Sequence, residues 1–492
     1  MPKPQTPHFD NSYARLPAQF HHRQQAQSVP APGFIRVNDA LATELGIDPD
    51  WLNSEEGLAM LSGNAVPAGA DPIATAYAGY QFGSWNPQLG DGRALLIGEV
   101  LSPKGQRFDV QLKGSGRTPY SRGGDGKSPL GPVLREYLIS EAMAALHIAT
   151  SRSLAAVTTG ETVYRDSALP GAILTRVAGS HIRVGTVQFF AAKQDREALS
   201  LLCQHVIERH FPDAATAENP VLAMLEAIIQ KQAELIAQWQ LVGFIHGVMN
   251  TDNMLLCGET IDYGPCAFMD RYDAATVFSS IDRGGRYAYG NQPSIAHWNL
   301  AGLAQAVLPL LDEDEDKAVQ LAQTAVNAFP DRFLSAYQAG MAAKLGLAEY
   351  RDGDDALVKD LLELMAKEQL DFTQSFLRLT ELANAKADAR HLPIPELPAS
   401  FDEWLQCWQQ RQQHDTLDFS ERTAMMRAAN PVFIPRNHRV EEAIHAAVTH
   451  NDFSLFNQLL DVLAQPFEYR PEFEDYLYSA ENPQGYQTFC GT

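Results

Sequence analysis

His246-Gly247-Val248-Met249-Asn250-Thr251-Asp252-Asn253, followed downstream by Asp262-Tyr263-Gly264, is the stretch whose reading decides the fold. Asn253 and Asp262 offer hard oxygen ligands at either end of two short apolar runs, 254–257 and 260–262. Gly258-Glu259 between those runs predicts a tight hairpin. Paired hard oxygens of this kind suit Mg²⁺ bridging phosphates. Asp252 is the nearby carboxylate able to take a proton, with a supporting metal carboxylate or a loop cap as its other readings. His246 is read as structural, orienting the loop by hydrogen bonding. Upstream, Val221, Leu225, Ile228, Ile229, Leu235, Ile236, Trp239 and Val242 mark a long amphipathic helix that ends just before His246.

The stretch resembles a protein-kinase catalytic loop with its metal-binding Asp-x-Gly. In the kinase pattern His-Arg-Asp-x-x-x-x-Asn, the Asp accepts the substrate hydroxyl proton and the Asn holds a metal ion. Five residues before Asn253 stands Val248, whose isopropyl group takes no proton. The metal positions are kept and the base position is not. Either the chain is a nucleotide-binding protein without turnover, or it performs different chemistry on the same nucleotide.

Working outward, a strand-rich segment comes first. Residues 94–100 and 107–113 predict two strands joined by Ser102-Pro103-Lys104-Gly105. In the second, Phe108, Val110 and Leu112 alternate with Asp109, Gln111 and Lys113, which places Lys113 on the face away from the core. Val110-Gln111-Leu112-Lys113 matches the kinase Val-Ala-Ile-Lys pattern, in which a helical carboxylate holds the Lys. Glu136 is the expected partner and Glu141 the alternative, both on a helix predicted over 133–146 with Pro132 at its first turn. Further strands are expected over 153–164 and 172–177, and residues 1–75 read as a Pro-rich arm with one helical patch at 50–61. From Gln188 the pattern turns helical, through 294–390, 400–413 and 438–465.

That order predicts an α+β, bilobal protein-kinase-like fold with N-terminal and C-terminal extensions. Residues 1–75 form the wrapping arm, 76–187 the small strand-rich N-lobe that binds nucleotide, and 188–492 the large helical C-lobe.

Charge agrees with an anionic ligand. The 492 residues carry a net charge of −22, which argues against nucleic acid or acidic membranes as partners. Yet between Gly90 and Phe190 twelve Lys and Arg face eight Asp and Glu. Gly90-Asp91-Gly92-Arg93 and Arg122-Gly123-Gly124-Asp125-Gly126-Lys127-Ser128 supply glycines and cations able to cradle phosphate, or ordinary turns. Arg176 and Arg183 flank Gly179-Ser180-His181 near the expected lobe junction. No apolar run approaches a membrane span, and the N-terminus has no apolar signal core. A cytoplasmic location is expected, or mitochondrial in a eukaryote. The five cysteines show no zinc-like grouping and are expected to be reduced thiols.

Together with Tyr77-Ala78-Gly79-Tyr80-Gln81-Phe82-Gly83 and Asn430-Pro431-Val432-Phe433-Ile434-Pro435-Arg436-Asn437, these motifs resemble the selenoprotein O family over nearly the whole chain. The family comprises kinase-like protein adenylyltransferases. The resemblance implies that ATP lies flipped relative to kinases and that AMP passes to a Ser, Thr or Tyr hydroxyl with release of pyrophosphate. It further implies that Gly90, Gly92, Arg93, Lys113, Asp125, Gly126, Arg176 and Arg183 hold the nucleotide. In the same scheme Glu136 pairs with Lys113, Asp252 is the base, and Asn253 and Asp262 bind Mg²⁺ or Mn²⁺. A flipped nucleotide needs cations where a kinase places adenine, and Arg93, Arg176 and Arg183 exceed a kinase's needs. Some members carry selenocysteine third from the end, here Cys490, and an intramolecular Cys266–Cys490 disulfide is the regulatory expectation. Expected partners are proteins bearing Ser, Thr or Tyr hydroxyls, redox-related proteins and the chain itself, with the protein a monomer. Two rivals stay open: γ-phosphate transfer with Asp252 as displaced base, and a non-catalytic nucleotide-binding scaffold.

Overall fold

Alternating apolar residues and a tight Ser102–Gln106 turn bring the strands predicted over 94–100 and 107–113 together, as the sequence pattern predicts. They belong to a computed structural model that describes residues 6–383, 392–480 and 485–489. In chain order its strands are β1 (His21–Arg23), β2 (Gly33–Val37), β3 (Ile73–Thr75), β4 (Gly79–Gln81), β5 (Ser84–Asn86), β6 (Ala94–Leu101), β7 (Arg107–Lys113), β8 (Ser128–Pro129), β9 (Arg152–Tyr164), β10 (Ala168–Ala178), β11 (Phe244–Ile245) and β12 (Ala267–Phe268). The main sheet is antiparallel and eight-stranded, in the order β1-β3-β6-β7-β10-β9-β2, with β8 attached to β10. β4 pairs with β5 and β11 with β12 in two small ribbons.

The first 75 residues are more structured than an arm with one helical patch. They contain β1, β2 and β3 and the helices Asp39–Glu44, Pro49–Leu52 and Glu55–Leu61. β1 and β2 form the two margins of the main sheet. The segment is fastened by a buried carboxylate: Glu99 accepts from Tyr13 N at 2.6 Å and from Ser12 Oγ at 2.5 Å, and it pairs with Arg107 and Arg209. Pro and Gln content hid this order, because pairing with distant strands outweighs weak local propensity.

β7 also differs from the amphipathic strand expected. Asp109 and Gln111 are as buried as Val110 and Leu112. Their face is therefore a polar interior, not a solvent face, and every group on it needs a partner. Asp109 receives Arg209 at 2.5 Å and the His181 backbone N–H at 2.8 Å, while Gln111 Oε1 receives Arg176. Burial would raise the Asp109 pKa, but Arg209 and His181 hold it well below the usual carboxylate range.

Helix Leu130–Ala145 packs on the sheet and carries Glu136. Helix Pro220–Val242 begins at Asn219, whose side chain accepts from Leu222 N, and ends at Gly243 with φ 72°. Proline inside the start and left-handed glycine past the end set its bounds. The long helices Gln292–Leu311, Glu315–Asn327, Phe329–Leu345, Asp354–Lys367 and Phe372–Ala383 follow, then Asp402–Gln413, Asn437–His450 and Ser454–Leu463. Phe419–Ala429 is a further helix the periodicity did not mark, although Asp418 and Glu421 form a capping box at its start. Among the described residues no helix is long and apolar enough to cross a membrane.

The predicted hairpin at 254–262 does not form. Its two runs bond outward to different partners instead: Val184 N donates to Met254 O, Leu256 N to Ile182 O, and Thr260 N to Ala149 O.

Candidate nucleotide site

The polar interior beneath β7 and β10 opens into a cleft of about 710 Å³, within the ordinary size range of ligand pockets. Register explains the convergence. β10 pairs with β7 so that Arg176 lies opposite Gln111 and Leu174 opposite Lys113. Lys113 Nζ reaches Glu136 Oε2 at 2.6 Å and Asp262 Oδ1 at 2.8 Å. Arg176 Nη1 bridges Glu136 Oε1 at 3.0 Å and Asp262 Oδ1 at 2.8 Å. Arg183 Nη1 reaches Asp262 Oδ2 at 2.8 Å and the Asp252 carbonyl at 2.5 Å, while its guanidinium lies 4.7 Å from the Tyr77 ring centre. Glu141, the alternative partner for Lys113, instead pairs with Arg152 and takes no part.

Three cations thus converge on one carboxylate. Burial alone would raise the Asp262 pKa, but Lys113, Arg176 and Arg183 drive it far below the usual range. Glu136 is lowered in the same way, by Lys113 and Arg176 against its burial. Asp262 also sits at φ 62°, a left-handed conformation that Asp tolerates better than most residues.

Asp252 has the opposite electrostatics. It lies in the short helical turn Thr251–Asn253 and is 7% exposed. Its Oδ2 accepts from Gln81 Nε2 at 3.0 Å, but its buried Oδ1 has no hydrogen-bond donor. Burial, only partly offset by Gln81 and Arg183, pushes its pKa up to about 6. Two carboxylates in one cleft are therefore driven in opposite directions, one held ionised and one poised near neutrality.

The loop is locked from behind. His246 is buried, donates from Nε2 to Ile261 O at 2.9 Å, and receives Val248 N on Nδ1 at 3.3 Å. Burial lowers its pKa, so it is neutral and holds the loop rather than transferring protons. The β4–β5 ribbon seals the other side: Tyr80 N donates to Thr251 Oγ1 at 2.8 Å and Phe82 N to Asn250 Oδ1 at 3.0 Å.

Asn253 donates its amide to Val248 O at 3.0 Å, which leaves its carbonyl oxygen for another contact. Among the described residues no three His, Cys, Asp or Glu side chains gather as a metal cluster. The donor set nevertheless fits a hard cation carried by a nucleotide. Asp262 Oδ2 receives a single cation, and Mg²⁺ takes few protein ligands when phosphate oxygens supply the rest.

The remaining predicted residues line the same cleft, with different local roles. Gly90 (φ 123°) and Gly92 are held close to Tyr120 and Ser121, where a Cβ would fall 2.4 Å from the Tyr120 ring and 2.8 Å from its carbonyl oxygen. Gly126 (φ 70°) lies against Gly116, whose carbonyl oxygen would stand 2.1 Å from a Cβ. These glycines are required by packing, with or without a phosphate. Asp125 forms a two-point pair with Arg165 at 2.8 and 3.0 Å, which lowers its pKa. Arg93 lines the cleft beside Lys127 and Arg122.

Sequence reading overlooked Gln81, Gln111, Asn250 and Arg165. Gln81 lies in the Tyr77–Gly83 motif and Asn250 in the stretch 246–253, but an amide side chain marks no role by itself. Gln111 alternates with Lys113 on one strand face, a signal that was available. Arg165 sits in the β9–β10 turn, and nothing local marks it. Cys490 lies outside the described residues. Cys266 is buried, with its thiol pushed up to about 12 by burial, and Thr488 donates to the neighbouring Pro265 carbonyl at 2.6 Å.

A family model described as "Protein adenylyltransferase SelO" matches residues 5–464. A protein nucleotidyltransferase YdiU of Methylorubrum extorquens is 58% identical over 497 residues, covering 98% of this chain and 99% of its own. Relatives of the same name from Rhodopseudomonas palustris and Bradyrhizobium diazoefficiens are 57% and 56% identical, each over 98% of this chain and 99% of their own. With a cleft lined by buried ion pairs and matches that run almost end to end, the chain belongs to the SelO family of protein adenylyltransferases.

Proposed function

We propose that this protein nucleotidyltransferase binds ATP in the cleft with its α-phosphate toward Asp252 and moves AMP to a Ser, Thr or Tyr hydroxyl of a protein. The observation that carries the reading is the pair of unlike carboxylates in one cleft, Asp262 ion-paired with Lys113, Arg176 and Arg183, and Asp252 buried with, among the described residues, no cation on its carboxylate and no donor to Oδ1. Asp252 takes the acceptor hydroxyl proton, the acceptor oxygen bonds to the α-phosphorus, and the bond to the β-phosphate oxygen breaks to release pyrophosphate. A base with a pKa near 6 is largely ionised at neutral pH yet basic enough to accept a proton in the transition state.

Lys113, Arg176 and Arg183 neutralise phosphate charge, and Glu136 keeps Lys113 and Arg176 in place. Arg93, Asp125, Gly126, Gly90 and Gly92 line the same cleft and complete the nucleotide site. Asn253 and Asp262 would hold Mg²⁺ or Mn²⁺, which when bound offsets phosphate charge. In this reading the chain is a bilobal, kinase-like monomer acting in the cytoplasm, with 1–75 wrapping a nucleotide lobe at 76–187 and the helical lobe at 188–492. Its partners include redox-related proteins and its own chain, and a Cys266–Cys490 disulfide restrains the segment after Asp262.

Parallel reactions with α- and γ-labelled ATP and a generic protein acceptor test the proposal, with Asp262→Ala as control. Label from the α-phosphate only, lost in the variant, is expected. Label from the γ-phosphate would instead identify a kinase, and no label with retained ATP binding a scaffold.

A further inference from the structure

We propose that the β4–β5 ribbon and the segment 281–287 form the docking surface for the acceptor polypeptide, selecting acidic, aromatic-containing segments. The proposal rests on the AMP-transfer reading above, and specifies the partner that reading leaves open.

The ribbon is built into the catalytic loop. Gln81 holds Asp252, and Gly79 lies so close that a Cβ there would stand 2.6 Å from Asp252 Oδ1. Tyr80, between them, points to the other face of the strand. Its ring packs against Trp85 at 4.9 Å and against Trp298, from helix Gln292–Leu311, at 5.2 Å. Both tryptophans remain open to solvent, Trp85 at 37% and Trp298 at 40%. Two exposed indoles flanking one tyrosine beside the Asp252 loop are costly to leave in water, and Trp is among the residues that anchor interfaces.

Charge states what kind of partner fits. The Arg286 guanidinium lies 4.8 Å from the Trp298 ring centre and 5.7 Å from that of Tyr287. No carboxylate among the described residues lies within ion-pairing distance of Arg286, and its buried Nε has no acceptor. Asp282, the nearest acid in sequence, is committed to the backbone amides of Arg286 and Tyr287 at 2.9 and 2.8 Å. Arg283 beside it is exposed. In a chain of net charge −22, an aromatic-stacked Arg without a counter-ion is complementary to an acidic group from outside.

The surface is continuous with the cleft and offers a backbone rung. Tyr287 packs on Phe82 at 5.1 Å, and Phe82 and Ile281 line the nucleotide cleft. Phe82 and Gly83 both have positive φ, 50° and 81°, the signature of a two-residue hairpin turn. In that register Gln81 and Ser84 form the hydrogen-bonded pair, and Tyr80 and Trp85 the non-bonded pair. The Tyr80 N–H therefore points outward, to Thr251, and the Trp85 N–H and C=O point outward on the opposite margin. An extended acceptor can pair there by strand addition.

The test uses the full chain and a fluorescein-labelled peptide with one Tyr flanked by Glu and Phe, plus a matched peptide with Lys replacing each Glu. Fluorescence polarisation reads binding, and α-labelled ATP reads transfer to the same peptides. The acidic peptide is expected to bind. Arg286→Glu and Trp298→Ser should each weaken that binding and raise its KM by about tenfold or more, the scale of a lost Arg or Trp anchor. ATP affinity should stay unchanged, and Arg286→Glu should gain affinity for the Lys peptide, which a misfolded variant would not. Unchanged KM in both variants, or equal binding of the two peptides by the parent protein, overturns the docking surface. So does a concentration-dependent dimer abolished by Arg286→Glu, since a second copy would then own the patch. Charge-selective binding with no AMP transfer to any acceptor would uphold the surface and sink the transfer reading instead.

Discussion

Gln81→Leu isolates the tuning of the proposed base. In the parent protein one side-chain amide donates to Asp252, and burial sets the carboxylate near 6. That donor stabilises the ionised form, so its removal must raise the pKa further. A hydrogen bond to a charged group is worth about 1.5–3 kcal/mol, or about one to two pKa units, which moves Asp252 to roughly 7–8. At pH 7 the ionised fraction then falls from about nine-tenths to between about one-half and one-tenth. Transfer from α-labelled ATP, followed as kcat/KM from acid to alkaline pH, should show its acid limb displaced upward by that amount. The alkaline plateau should change far less, because the base is ionised there in both proteins. An acid limb that stays where it was, with Gln81→Leu folded and binding ATP, would refute the assignment of Asp252 as the titrating base.

The same burial makes Asp252 a stability liability. Its folded pKa lies above the ordinary 3.8, so the cost appears as pH rises from about 4 and is complete above about 6. Asp252→Asn should stabilise the protein by up to about 3 kcal/mol at pH 8 and hardly at pH 4, read by denaturant unfolding. Gly79→Ala places a methyl group against the Asp252 carboxylate, and should lower kcat by about a hundredfold while ATP affinity, measured by calorimetry, is kept. Arg176→Ala removes the fully buried cation shared by Glu136 and Asp262, leaving Lys113 to serve both carboxylates. A loss of about 3–5 kcal/mol is expected, seen as a large drop in unfolding midpoint, whereas Lys113→Ala at the cleft margin should lose less.

Much of the site was legible because its chemistry is punctuated in the chain. Lys113 on an alternating strand meets Glu136 on the following helix as their order suggests, and Asp252, Asn253 and Asp262 line the same cleft. Less legible was anything decided by distant partners. The runs after Asn253 read as a hairpin because their composition is that of short strands, yet Arg183 and Thr150 compete for them. Asp109 and Gln111 looked solvent-facing because alternation reports polarity, not exposure, and the cations that allow their burial come from Arg176 and Arg209 far along the chain. Arg165 had no local signal at all, since only the fold sets it against Asp125.

The two margins of the main sheet have a consequence for synthesis. β2 emerges from the ribosome early, but its neighbour β9 includes Thr158, 125 residues beyond Gly33. At about 5–20 residues per second, translation leaves that strand unpaired for roughly 6–25 s. Pro30 and Pro32, just before it, make the nascent segment a poor template for pairing with other chains. The composition that disguises the N-terminal order in the sequence is thus suited to keeping it soluble until its partner is made.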